Sequence, residues 1–97
     1  MDSAFLSVSE KTENGTVSAT VSTKRETEVV VTLWRMRHLL DTKTLLIPAG
    51  NSMECRLHSS VQGIHRVVVK RLLNGNYTEV AERWVFVFPA VKRDLGI

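Results

Sequence analysis

The sequence predicts an all-β fold, in the form of a seven-stranded antiparallel β-sandwich. Two turn signals, Asn14-Gly15 and Asn74-Gly75, each lie between β-branched runs, and Asn-Gly is the strongest short signal for a hairpin. Several runs alternate between apolar and polar residues, which is the period of a half-buried strand. Helix signals are few. We therefore expect one domain in the 97 residues, with an ordered core over about residues 4–89 and a frayed tail at 90–97.

The first quarter of the chain predicts a hairpin closed by Asn14-Gly15. Residues 16–22 alternate strictly between Val or Ala and Ser or Thr. A two-residue turn places Val8 opposite Val21, so that one face of the hairpin is apolar and the other is solvated. The other apolar residues expected on that face are Leu6, Val17 and Ala19.

The middle of the chain predicts an interior strand followed by shorter elements. Residues 29–31 are three consecutive valines, which favours a strand that is apolar on both faces. A short amphipathic helix over residues 33–40 is the alternative for part of this segment. After it we expect a turn at residues 41–43, a short strand at 44–47, a turn at 48–51 and a strand with one buried face at 53–57.

The stretch from residue 64 to residue 88 predicts the longest hairpin, closed by Asn74-Gly75. Without a bulge, this turn places Arg66 opposite Arg83, and like charges that face each other destabilise a sheet. A β-bulge near residues 81–83 would repair the mismatch, and we expect one there. The pairs predicted nearer the turn are Leu72–Tyr77, Lys70–Glu79, Val69–Val80 and Val68–Ala81.

Composition limits the classes of function. Apolar residues make up 43% of the chain and charged residues 24%, which is ordinary for a globular protein, and the net charge is only +3. No run approaches the roughly 18 apolar residues that a membrane-spanning helix needs. Residues 1–6 do not resemble a signal peptide, so we expect an intracellular chain unless this is an excised domain. We interpret the two formal glycosylation sequons, at Asn14 and Asn76, as turn chemistry.

No group of residues predicts catalysis, a cofactor or a metal site, and we therefore expect that the protein is not an enzyme. On a strand, Cys55 and His58 point to opposite faces, and no third residue orients them as a nucleophile and base. We interpret Cys55 as a buried apolar thiol. The three histidines lack metal-ligand spacing, and we expect His65 to fill a core or corner position.

Taken in order, these segments resemble a fibronectin type III domain over roughly residues 5–88. The most specific part is Ile47-Pro48-Ala49-Gly50-Asn51, a Pro and Gly turn that leads into the alternating strand at 53–57. The run from Val61-Gln62-Gly63 into residues 64–69 is similar to the link and the sixth strand of that family. The other matching segments are 5–15, 16–22, 29–36 and 45–47.

The chain departs from the fibronectin type III pattern at three positions. Val21 stands near the place of the second-strand Trp, His65 replaces the sixth-strand Tyr, and Val61 replaces the Leu of the link. If Trp34 is a core residue of the third strand, the chain is more similar to an immunoglobulin domain without its disulfide. The resemblance to either family implies a β-sandwich.

The residues suggest one contact face. We expect Val67 and Val69 in the core, which turns Val68 outward. The resulting face would expose some of a set of apolar residues, and exposed apolar area usually marks a contact site unless a second layer covers it. The apolar set is Val30, Trp34, Val68, Leu72 and Val85, and the predicted partner-binding residues are Val30, Trp34, Arg66, Val68 and Lys70.

We therefore expect a non-enzymatic interaction module that binds a protein partner or a second copy through one sheet face or edge. The alternative is a small basic protein of viral accessory type that binds nucleic acid as a β-rich dimer. Steep salt dependence would identify the alternative, since binding to phosphates releases counterions.

Overall fold

Seven β-strands form two antiparallel sheets in the computed structural model, which describes residues 6–88, with side chains from residue 10 onward. One sheet has the strand order β1-β2-β5 and the other has the order β4-β3-β6-β7. The predicted all-β sandwich is confirmed. The expected ends of the core and the tail at 90–97 lie outside the described residues. The strands are β1 (Leu6–Glu13), β2 (Thr16–Thr23), β3 (Thr27–Arg35), β4 (His38–Ile47), β5 (Ser52–His58), β6 (Gly63–Leu73) and β7 (Asn76–Val87).

The core lies between the two sheets and consists mainly of valine. Alternate residues of each strand point inward, so a run such as Thr16–Thr23 buries every second side chain. Each fully buried Val or Leu contributes about 1.5–3 kcal/mol through removal of its apolar surface from water. The fully buried aliphatic core residues are Val17, Ala19, Val21, Val29, Val31, Leu33, Ile47, Leu57, Val67 and Val87.

Both Asn-Gly turns have the conformation that the sequence predicts. Asn14 and Gly15 have φ values of 51° and 82°, and Asn74 and Gly75 have values of 53° and 82°. Positive φ at both central residues is the requirement of a type I′ turn, which Asn and Gly meet most easily. The first turn pairs Val8 with Val21, as expected.

The β6–β7 hairpin contains the expected bulge, but one residue earlier than predicted. The pairs Leu72–Tyr77 and Lys70–Glu79 are confirmed. Val80 is the extra residue, since the register then continues with Val69 opposite Ala81 and Val68 opposite Glu82. The predicted pairs Val69–Val80 and Val68–Ala81 are therefore wrong. Beyond the bulge Arg66 faces Trp84 instead of Arg83, which removes the conflict of like charges.

The alternative of a helix over 33–40 is not realised, and the predicted turn at 41–43 is wrong. β3 ends at Arg35, a turn at Met36 and Arg37 follows, and β4 runs without interruption from His38 to Ile47. Met36 has a φ of 57°, so a non-glycine residue takes the left-handed conformation in this turn. A second bulge places Leu33 opposite Asp41 but Trp34 opposite Leu39, which leaves Leu40 as the extra residue of β4.

Candidate protein interaction surface

The outer face of the four-stranded sheet carries a cluster of large apolar side chains at one end. Strand register aligns Leu39, Trp34, Arg66 and Trp84 in one row across β4, β3, β6 and β7. The next row pairs Ile64 with Phe86. Phe88 continues the alternation, and its ring centroid lies 4.6 Å from that of Phe86. We define the aromatic patch as Trp34, Leu39, Ile64, Trp84, Phe86 and Phe88.

Most of the aromatic patch is exposed. Trp84 is 64% exposed and Phe88 is 62% exposed, whereas Val85 and Val87, which alternate with them, are 8% and 0% exposed. The exposed fractions of Leu39, Ile64 and Phe86 are 50%, 49% and 40%. Scattered single apolar residues on a surface are normal, but a contiguous group of this kind usually marks a contact site.

Trp34 is held in place more firmly than the rest of the aromatic patch. Its side chain is half-buried, and its Nε1 donates a hydrogen bond of 2.9 Å to Thr32 Oγ1. That hydroxyl donates in turn to the carbonyl oxygen of Val68, at 3.1 Å. The guanidinium carbon of Arg66 lies 5.7 Å from the centroid of the Trp34 ring, within the range of a cation–π interaction. The indole is therefore oriented before any partner binds.

The charges beside the aromatic patch are balanced in pairs. Arg66 Nη1 lies 3.1 Å from Glu82 Oε2, and both side chains are about one-third exposed (33% and 34%). Lys70 lies directly opposite Glu79 in the β6–β7 ladder. At the far end of the same face, Tyr77 donates a 2.6 Å hydrogen bond to Glu28, and this bond raises the pKa of the Tyr77 hydroxyl. The face consequently has little net charge between its two ends.

The structure brings the five sequence-predicted site residues together on one face. Val30 lies opposite Lys70 and Trp34 opposite Arg66, and Val68 lies between them in the row of Thr32. Val30, Trp34, Arg66 and Lys70 are all partly exposed. Val68 points away from the core but is only 3% exposed, so the expectation that it offers contact area is wrong. Its row neighbours leave it little surface to present.

The position of Val85 is a second correction. This residue belongs to the core and is 8% exposed, whereas the bulge-free register placed it on the outer face. Leu72, also expected there, is 36% exposed but lies in the row of Tyr77, away from the aromatic patch.

Sequence reasoning missed most of the aromatic patch, namely Leu39, Ile64, Trp84, Phe86 and Phe88. A signal for three of them was present, because Trp84, Phe86 and Phe88 alternate with two valines. Aromatic residues on one side and valines on the other indicate two different environments for the two faces of one strand. Leu39 gave no comparable signal, since its side of the sheet depends on the bulge at Leu40.

Cys55 and His58, which could in principle act as a nucleophile and base, lie on opposite sides of β5. Cys55 is 7% exposed, and burial raises the pKa of its thiol to about 11, so the expected buried thiol is confirmed. His58 is exposed on the other side of β5, where its Nδ1 lies 3.2 Å from Thr16 Oγ1. Within residues 6–88 we find no group of three or more His, Cys, Asp or Glu side chains arranged to hold a metal ion.

His65 fills a buried corner, as expected from the sequence. It is 0% exposed, its Nδ1 lies 2.9 Å from the carbonyl oxygen of Gly63, and its Nε2 lies 2.7 Å from Ser59 Oγ. A carbonyl can only accept, so Nδ1 donates to the carbonyl oxygen of Gly63. The imidazole thereby fixes the loop between β5 and β6.

Comparison of the chain with protein-family models, with curated proteins and with solved structures found no match. In the described part of the chain, no helix has the length and apolar character needed to cross a membrane.

Proposed function

We propose that this chain is a non-enzymatic protein interaction module of the fibronectin type III-like kind, and that it binds through the aromatic patch. The observation that carries the proposal is the exposure of Trp84 and Phe86 on β7 and of Phe88 directly after it, with the two phenylalanine rings in contact. Large aromatic side chains and Arg are the residues that most often dominate the energy of protein interfaces. Trp34, Arg66 and Trp84 lie next to one another in one row, which fits such an energetic centre.

The strand order favours the fibronectin type III-like assignment over an immunoglobulin constant-type sandwich. In the constant type, the fourth strand joins the sheet of the first two. Here β4 pairs with β3, in the sheet that also contains β6 and β7.

Nucleic acid remains the alternative partner, and the charges of the surface give it less support. Arg66 is already paired with Glu82, and Lys70 faces Glu79. Phosphate binding needs cations that are not neutralised, and it weakens steeply between about 50 and 200 mM salt. An interface centred on apolar residues depends much less on salt.

The proposal can be tested by retention of partners on the immobilised protein, using an extract of the cells that produce it. Trp84→Ser should abolish the retention of specific proteins. Tyr77→Ser is the matched control, because Tyr77 also lies on the outer face of β7 and is 47% exposed, but is outside the aromatic patch. Equal retention by both variants, or retention only of nucleic acid that is released at about 200 mM salt, would contradict the proposal.

A further inference from the structure

We infer that the partner of the aromatic patch is a second copy of this chain, and that the outer faces of two four-stranded sheets stack on each other in a symmetric dimer. The inference rests on the proposed function and names the partner class for the same surface. In a two-fold dimer the same surface of each copy forms the interface, so a single aromatic patch is sufficient for both partners. Sheet faces commonly pack on each other about 10 Å apart, with interdigitating side chains.

The area of the aromatic patch fits a weak dimer. Five of its side chains are 40–64% exposed. Since an aromatic side chain can bury 150–250 Å², these residues offer on the order of 500 Å² per copy. Two copies would bury about 1,000 Å² in total, which is close to the lower limit for a specific interface. Arg66, between Trp34 and Trp84, and the neighbouring Lys70 would add to this area.

The charge distribution permits association of like molecules. The net charge of the chain is +3, and beside the aromatic patch Arg66 is neutralised by Glu82. Repulsion between two copies is therefore small, and it is further screened over about 10 Å at 0.1 M salt.

The edges of the sheet favour stacking over edge-to-edge pairing. Both edge strands of the four-stranded sheet contain a bulge, at Leu40 in β4 and at Val80 in β7. Bulges twist an edge strand and interrupt its ladder, which disfavours the addition of another strand. Pairing along β7 would also leave Trp84 and Phe86 in water, and it would not involve Leu39 on the opposite edge.

Leu39 and Leu46 provide a matched pair of variants for the test. Both are leucines of β4 on the outer face, and they are 50% and 58% exposed. Leu39 lies opposite Trp34 in the aromatic patch, whereas Leu46 lies opposite Glu28 at the far end. Sedimentation velocity of the whole chain, over about 5–500 μM, should show a concentration-dependent dimer for the wild type.

Leu39→Ser should weaken dimerisation at least tenfold, and Trp84→Ser should do the same, while Leu46→Ser leaves it unchanged. A circular dichroism melt of each variant verifies that it is folded. Quenching of tryptophan fluorescence by acrylamide should fall as the wild-type concentration rises, because the dimer covers Trp84. Dimerisation that survives Leu39→Ser would overturn stacking in favour of the β7 edge.

A wild type that sediments as a monomer over the whole range would overturn the dimer. The proposed function would still stand in that case if the immobilised protein retained a different protein and Trp84→Ser abolished the retention. Failure of the dimer can therefore be distinguished from failure of the proposed function.

Discussion

The outer faces of the two sheets are built by the same alternation and differ completely in chemistry. On β2 and β5 of the three-stranded sheet the outward residues are polar or charged, and Ser22 and Ser52 hydrogen-bond to each other. On the four-stranded sheet the outward residues include two tryptophans and two phenylalanines. The polar face shows that this sandwich needs no large apolar residue on its outside, because one buried face supplies the stability of a sheet. We therefore expect the aromatic patch to serve mainly in contact, with little contribution to folding from its exposed members.

An exposed leucine of the aromatic patch should contribute far less to the stability of the fold than a leucine of the core. Leu33→Ala, in the core at 0% exposure, should cost about 2–5 kcal/mol in the free energy of unfolding. Leu39→Ala, in the aromatic patch, should cost less than about 0.5 kcal/mol, as is usual for exposed positions. Urea titration monitored by circular dichroism, at a concentration where the protein is monomeric, measures both values. If Leu39→Ala cost nearly as much as Leu33→Ala, the aromatic patch would be shown to stabilise the fold as the core does.

The reactivity of Cys55 measures how well the three-stranded sheet protects the core from solvent. Cys55 lies on the inner side of β5, and its thiol pKa of about 11 compares with 9.0 for an unperturbed thiol. Two pKa units reduce the thiolate fraction at pH 8 about a hundredfold, so alkylation by iodoacetamide should be at least that much slower in the folded protein than in urea. Fast alkylation of the folded protein would show that the polar sheet opens.

The raised pKa of Cys55 also determines the direction in which the free energy of unfolding changes with pH. The unfolded chain loses the Cys55 proton near pH 9, whereas the folded chain keeps it to about pH 11. The unfolded state therefore binds fewer protons in this interval, and the free energy of unfolding should fall as the pH rises from about 9 to about 11. Cys55→Ala removes this component and is the control.

The two tryptophans of the aromatic patch should differ in their contribution to stability, because Trp34 is held by Thr32 and Arg66. Trp34→Ala removes a half-buried ring, a hydrogen bond to Thr32 and the contact with Arg66, so it should cost about 1–3 kcal/mol, below the 3–5 kcal/mol of a fully buried Trp. Trp84→Ala should change the stability by less than about 0.5 kcal/mol. Thermal melts of the two variants under monomeric conditions give the difference, and equal costs would show that Trp84 is also a structural residue.

The sequence predicted what depends on local patterns. The Asn-Gly turns, the alternation in residues 16–22 and the buried faces of β3 and β5 all follow from conformational preference and period. The burial of Cys55 and His65 was also predictable, since both stand at inward positions of alternating strands. The grouping of Trp34 with Arg66 on one face followed from the order of neighbouring strands.

What the sequence did not predict depends on the two bulges. A bulge breaks the alternation by one residue, and its position is decided by which pairing fills the core best. Any bulge between residues 80 and 83 puts Val85 inside and Trp84 outside, but the outward residues were assigned from the register without a bulge. The bulge at Leu40 had the same effect in β4, where the pair Leu39-Leu40 gave a misleading helical spacing. The aromatic patch includes residues of both edge strands, and their positions could not be predicted from local sequence patterns alone.

Val80 and Leu40 also determine how the length of this chain can change. Removing an ordinary strand residue turns every side chain beyond it to the other face, which would exchange the valines and the aromatic residues of β7. Removing Val80 has no such result, because Glu79 and Ala81 already face consecutive residues of β6. The edge strands β4 and β7 therefore each contain one residue that can be deleted without turning the following side chains to the other face of the sheet. Such a loss would straighten the edge, and the shorter chain would keep its fold but become prone to form fibres.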